Sequence, residues 1–442
     1  MRLRAATILV GAAAFLLSAS EAPAATPGHS PDGARYTLDL RFSAADGGTL
    51  SGTETIRFRN TSARTMASVW LRTWANGPFG CGRPRIRVTI PVPARRGAER
   101  TGCTALEVTP ATPIRAGARG TIKLAFRVTV PPVNDRFGRS LGDYLLGNAI
   151  PVLAVRDARG LHIDEPYFGN GESFYSLASD WRATLRLPAA LVAATTGTTT
   201  SERTRGGVRT LEVSATAARD FAIVAGRMRR AVELVEGRRI AVWWHTAVGR
   251  RLLLREAAAA VRTLTRAAGP YRARELDVVE ADFNGFGGME YPELVMTEAW
   301  PEAIVHEVAH QWWFGMVGDD EYSEPWLDES FASYSEHLIL GVPPKPCDVD
   351  DPLAGWTTPL ATSVPYFRRH VGRYGEIYTG GACVLYSYER SAGVTAVRDL
   401  LHLLLRRFGG GVETTGDVIR AMRETAPSGF DIDAYLGKAR IR

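Results

Sequence analysis

Between residues 35 and 225 the chain alternates apolar and polar side chains in short runs. In TIKLAFRVTV, Ile122, Leu124, Phe126, Val128 and Val130 recur at a period of two, which puts all five on one face of a half-buried strand. YTLDLRF and ETIRFRN repeat the pattern more briefly, and clusters of Gly, Pro, Asn and Asp such as RNTS, VPPVND and FGNGES separate the runs. Such punctuation predicts antiparallel hairpins gathered into a β-sandwich or saddle. After residue 226 the period lengthens. RRLLLREAAAAVRTLTRAAGPY predicts a helix stopped by Gly269 and Pro270, and ELDVVEADF predicts a short strand. Val397, Leu400, Leu401, Leu404, Leu405 and Phe408 predict one apolar helix face closed by Gly409. The predicted organisation is a β-rich domain over residues 25–225 followed by an α+β domain over residues 226–442.

Composition narrows the partners. A chain of 442 residues, 45% hydrophobic and 23% charged, is long enough for two or three domains with a cleft between them. Its formal charge of +6 sits on arginines scattered among acids, with lysine only at Lys123, Lys345 and Lys438. A nucleic-acid surface calls for a basic stripe interleaved with stacking aromatics, and the sequence has none, so nucleic acid is not an expected partner. At the N-terminus, Arg2 and Arg4 precede an apolar run of about fifteen residues and the small-residue stretch Ala22 to Ala24. This is the plan of a cleavable secretory signal over residues 1–24, too short to span a membrane comfortably, and it predicts an exported chain. Four cysteines in such a compartment allow three pairings. Cys81 with Cys103 is preferred, across one loop-rich segment, with Cys347 and Cys383 as the second pair.

The chemistry gathers in PEAIVHEVAHQWWFG. Pro301 suits a first helical turn and Gly315 an end, so His306 and His310 lie one turn apart on a helix and face the same way. Two such imidazoles can grip one ion, with Glu307 placed to reach a water there without being a ligand. Two histidines on a helix are by themselves an ordinary structural feature, and a third ligand decides the matter. EPWLDESFASYSEHLILG predicts a second helix, from Pro325 to Gly341, and presents Glu329 after eighteen intervening residues. A helical hairpin through GDDEYSE would set Glu329 opposite the histidines. Three protein ligands with an open position describe a catalytic zinc rather than a structural one.

HEVAHQWWFGMVGDDEYSEPWLDESFASY is similar to the zinc signature of the M1 family of metallo-aminopeptidases, which are gluzincins with two histidines and a glutamate spaced in this way. The resemblance extends upstream to GGMEYP, Gly287 to Pro292, and downstream to YTGGACVL, Tyr378 to Leu385. It implies a thermolysin-like α+β zinc catalytic domain behind the β-rich one, a single zinc held by His306, His310 and Glu329, and peptide substrates with a free N-terminus. Glu307 would serve as general base and then general acid, and Tyr378 would stabilise the oxyanion. Gly287, Gly288 and Met289 would lie along the substrate while Glu290 holds its α-amino group. Three departures qualify the match. Gly380 replaces the lysine of the tyrosine motif and leaves Tyr374 as a fallback donor, Tyr291 replaces an asparagine and bears on the first side-chain pocket, and Asp328 replaces another asparagine.

Asp328 and Glu336 are candidate partners orienting the histidines. Glu172, in GNGES, is a candidate to face the cleft from the β-rich domain, whereas His337, His370 and His402 read as structural. The chain ends soon after the catalytic-type region, so the large helical C-terminal domain of many family members is expected to be absent and the cleft open. Two other functions share parts of the pattern. A zinc endopeptidase of the thermolysin type has the histidine helix without the amine anchor, and an inactive peptide-binding protein would keep the fold without turnover.

Overall fold

The computed structural model describes residues 28–441 apart from Asn170 and Asn284, so the expected signal at residues 1–24 lies outside the described residues. Up to Gly226 the described chain is almost entirely strand and turn. Seven strands form the largest sheet, in the order Thr198–Arg205, Val208–Ala218, Ser179–Pro188, Asp32–Ser43, Thr49–Arg59, Arg119–Thr129 and Ile86–Thr89. The Arg119–Thr129 strand buries Ile122, Leu124, Phe126 and Val128 and exposes the residues between them, which is the alternation its sequence predicts. One pairing departs from the antiparallel expectation, because Asp32–Ser43 and Ser179–Pro188 run parallel. Between these two strands the chain completes one four-stranded sheet and lays down two strands of another, so the later strand can enter beside the first in the same direction. Period-two alternation fixes which face is buried. It says nothing about the direction of a partner.

The smaller sheets, including Val69–Arg72, Ala105–Thr109, Asp143–Leu146 and Ile223–Gly226, share one core with the large sheet, in which Leu40, Leu50 and Phe126 join Leu71, Leu106, Leu145 and Val224. Met289 and Tyr291, from the other side of the cleft, enter the same core. Disulfides join Cys81 to Cys103 and Cys347 to Cys383.

From Arg229 onward a five-stranded mixed sheet is backed by helices. Its order is Arg229–Val235, Arg238–Trp244, Glu275–Glu280, Leu294–Thr297 and Gly288–Met289, so Gly288–Met289 is an edge strand. Helix α1 (Ala247–Ala267) buries Leu253, Ala257, Val261 and Leu264 against this sheet, and the Thr246 hydroxyl caps it by accepting the Gly249 N–H at 2.8 Å. Helices α2 (Pro301–Ala309) and α3 (Trp326–Leu340) follow, then α4 (Val364–Arg369), α5 (Gly375–Ala392) and α6 (Val394–Phe408). No helix among the described residues is long and apolar enough to cross a membrane.

Helix α2 is shorter than its sequence predicts. It was expected to run to Gly315, yet it ends at Ala309 with His310 as its cap. Beyond His310 the amides reach five residues back, Gly315 to His310 at 2.8 Å and Val317 to Trp312 at 2.9 Å, so the chain coils in wider turns. Trp312 and Trp313 are buried, and the Gln311 amide is committed to the backbone of Tyr291 and Glu293. A regular helix over 311–317 would have to turn part of this apolar surface toward water.

Candidate active site

Helices α2 and α3 lie side by side, joined by a turn in which Asp320 O accepts the Ser323 and Glu324 amides at 2.9 and 2.8 Å. Gly341, in the left-handed conformation at φ 72°, ends α3 as predicted. This hairpin brings three ligand atoms together. His306 Nε2 lies 3.1 Å from His310 Nε2 and 3.1 Å from Glu329 Oε2, and His310 Nε2 lies 3.3 Å from that same oxygen. A tetrahedral zinc with ordinary bond lengths requires ligand separations of about 3.3 Å, so the residues present fit the ion.

The outer ring nitrogens are already committed. His306 Nδ1 faces Glu336 Oε1 at 2.8 Å and His310 Nδ1 faces the Trp313 carbonyl at 3.1 Å. Both partners are acceptors, so each Nδ1 donates and each Nε2 turns its lone pair inward. Two lone pairs and a carboxylate converging in a buried space repel one another unless a cation sits among them. His310 can also be grouped with Glu290 and Asp328. The Nδ1 bond to Trp313 aims His310 Nε2 at His306 and Glu329, which makes the first trio the better-placed candidate ligand set.

The surroundings call for positive charge at this point, whether from a proton or from a metal ion that takes its place. Burial opposes charging His306, yet the Glu329 and Glu336 carboxylates prevail and raise its pKa well above the ordinary value. Burial likewise works against the charged form of Glu329, but the two imidazoles bring it down to about 2. Burial, then the Glu290 carboxylate, pushes Glu307 up to about 8. Glu307 Oε2 is buried and has no hydrogen-bond partner. A Cβ at Gly288 would collide with the Glu307 side chain, so the glycine lets the edge strand pass close to this acid.

A cleft of about 600 Å³ opens over the trio, lined by Gly287, Gly288, Glu290, Glu307 and Tyr378 as well as by the ligands. Met289 is turned into the core instead. Glu290 is 4% exposed, with Oε1 unpartnered, and burial is the main cause of its raised pKa. Tyr378 donates its hydroxyl to Glu329 Oε1, and burial followed by that carboxylate keeps the phenol protonated. Tyr374 does not line the cleft and points its hydroxyl at Glu172, 3.4 Å away.

Glu336 orients His306 as expected of a supporting carboxylate, but Asp328 bonds neither histidine. It accepts the Glu329 N–H at 2.7 Å, because its place in the first turn of α3 offers that amide. Tyr291 does not shape a side-chain pocket. Its hydroxyl donates to Asn148 Oδ1 at 2.6 Å, inside the core, and so anchors the segment that carries Glu290. Glu172 does face the cleft, paired at 2.5 Å with Arg136. Sequence reasoning passed over Arg136, since nothing in VNDRFG marks one arginine among many.

The helical hairpin with its three converging ligand atoms lies behind a β-rich layer, with an edge strand along the cleft. No protein-family model matches the chain, and no curated protein matches it. Among solved structures, the chain shares its fold with M1 zinc metallopeptidases. An M1 zinc metallopeptidase from Deinococcus radiodurans is 19% identical at a TM-score of 0.66, with 94% of each chain covered. A mutant of that enzyme bound to a Tyr-Ser-Ala substrate gives 19% identity and a TM-score of 0.66 over 95% of this chain and 96% of that one. A two-domain M1 zinc metallopeptidase mutant bound to L-tryptophan gives 18% and 0.67 over 95% of each.

Proposed function

We propose that this chain is an exported, zinc-dependent aminopeptidase of the M1 type that removes N-terminal residues from peptides. The observation that carries the reading is the triangle of His306, His310 and Glu329 ligand atoms at 3.1–3.3 Å, with the unpartnered acids Glu307 and Glu290 beside it. Zinc, when bound, would polarise the scissile carbonyl and make water a nucleophile near neutral pH.

The chain's own groups supply the rest. Glu290 takes the substrate's ammonium, with Glu172 across the cleft as a second carboxylate held in place by Arg136. Burial makes these charges count, because an ammonium entering their low-dielectric corner is attracted far more strongly than at an exposed surface. Glu307 accepts the proton of the attacking water and returns it to the departing amine. Tyr378, a protonated phenol beside Glu329, is the donor nearest to where oxyanion charge develops.

Fluorogenic amino-acid amides, assayed with and without a chelator, test this directly, alongside a peptide and its N-acetylated twin. Chelator-sensitive turnover confined to free amines is the expected result. Equal cleavage of blocked and free peptides would instead establish an endopeptidase of the thermolysin type, and zinc binding without turnover an inactive peptide-binding protein.

A further inference from the structure

The cleft continues beyond the metal trio to the N-terminal end of α2, where Trp300, Glu302 and Ala303 line it. Glu290 lies at the opposite end, grouped within 4.8 Å of His310 at the close of α2. Between them the edge strand follows the helix. A Cβ on Gly287 would stand 3.2 Å from Ala303 Cβ and 3.3 Å from the Trp300 ring, and Gly288 lies against Glu307. Residues 287 to 290 therefore run in the same direction as residues 300 to 310.

This geometry fixes the path of a bound peptide, given the aminopeptidase reading on which the inference rests. With its ammonium at Glu290 and its first carbonyl at the trio, the chain after the scissile bond must run toward Trp300 and Glu302. Glu302 is one helical turn before His306, about 6 Å along the axis. An extended peptide advances about 3.3 Å per residue, so the second residue of the substrate lies about halfway there and a long side chain on it comes within reach of the Glu302 carboxylate.

The chemistry waiting there is specific. Trp300 is 44% exposed, unusual for an indole, and its N–H donates to Glu298 Oε2 at 2.9 Å, which holds the ring in place. Among the described residues no cation pairs with Glu302. Among the described residues Arg136 is the only arginine lining the cleft, and it is occupied by Glu172. An aromatic surface beside a free carboxylate is the combination that holds a guanidinium or ammonium group. We propose that Trp300 and Glu302 form a leaving-side subsite that selects substrates with arginine or lysine as their second residue.

The test compares Leu-Arg-Gly, Leu-Ala-Gly and Leu-Glu-Gly with a leucine amide reporter that has no second residue, using the zinc-loaded full chain. The wild type should favour Arg over Glu by about tenfold in kcat/KM, with the preference shrinking as salt is raised. Normalised to each variant's own reporter turnover, Glu302→Gln should bring the ratio near unity, and Glu302→Lys should invert it. Inversion is a result that mere loss of packing would not produce. A wild-type ratio near unity, or a ratio untouched by Glu302→Lys, overturns the subsite while leaving the aminopeptidase reading intact wherever the reporter is cleaved. A dead reporter with cleavage of N-acetylated peptide overturns both.

Discussion

Two regions of this molecule bury histidine among carboxylates, and they do opposite things with it. In the β-rich part, His162 sets Nε2 2.9 Å from Asp157 and Nδ1 2.9 Å from Glu165, with Asp320 at 3.8 Å. Arginines close the network, Arg72 on Glu165 at 3.2 Å and Arg159 on Asp320 at 2.7 Å and on Glu324 at 3.8 Å, so three cations meet four anions and every anion has a cationic partner. Around His306 and His310 gather the carboxylates of Glu290, Glu307, Glu329 and Glu336, and no lysine or arginine among the described residues forms an ion pair with any of them. The first region is complete as folded. The second is short of positive charge in the place where three ligand atoms converge, a shortfall that the proposed zinc and substrate ammonium would make good. Histidine spacing alone does not separate a ligand from a structural residue; the balance of charge around it does.

The contrast breaks most visibly at Glu307. Glu307→Gln keeps the shape of the side chain but cannot take a proton, so turnover should fall by about 10²–10⁴-fold while metal content, read by elemental analysis, is retained. Glu329→Ala removes a ligand and should lose both. Retained activity in either variant would show that the open charge balance has another purpose. At the amine end, Glu290→Ala should lower kcat/KM for free-amine substrates by roughly 100-fold, and steady-state kinetics on amide reporters reads this directly. Glu336→Ala leaves all three ligands in place but releases His306 Nδ1. Metal affinity, measured by competition with a chelator, should drop by about 10–100-fold.

How much of this could be read from the sequence follows the range of each interaction. His306, Glu307 and His310 sit within one helical turn, so their shared face is a local property, and Glu329 needs only one tight helical hairpin to reach them. The strand over Arg119–Thr129 was legible for the same reason, since its alternation depends on its own residues. Arg136 comes to the cleft from a segment more than a hundred residues before α2, through sheets whose pairing no local pattern encodes, although its partner Glu172 was a candidate from the sequence. The early end of α2 was hidden because its cause, the Gln311 amide held by Tyr291 and Glu293, lies outside the helix. Tyr291 was misjudged for the same reason. Its direction is set by Asn148, a residue of the β-rich part.

The His162 region sharpens the comparison by its pH dependence, which should be small but unlike anything at the metal site. Burial works against charging His162, but bonds to Asp157 and Glu165, with Asp320 nearby, raise its pKa from 6.5 to about 9. A histidine held above its unfolded value adds stability in full below about pH 6.5 and loses it as pH climbs through about 9. Glu165, held below its ordinary value despite burial, sets the acid limit, because its contribution fades as pH falls through its own titration. The Tyr175 ring, edge-on at 4.9 Å, closes the remaining side without offering the imidazole a charge below the alkaline range. With solvent screening discounted, the loss between pH 6.5 and 9.5 should come to about 1–2 kcal/mol. Thermal unfolding of zinc-saturated wild type and His162→Gln, run in parallel at both pH values, isolates it. The wild type should lose more stability than the variant on alkalinisation, since glutamine has no proton to shed. Identical slopes would mean that the three carboxylates hold a neutral ring, and the balance of cations and anions that sets this region apart from the metal site would be wrong.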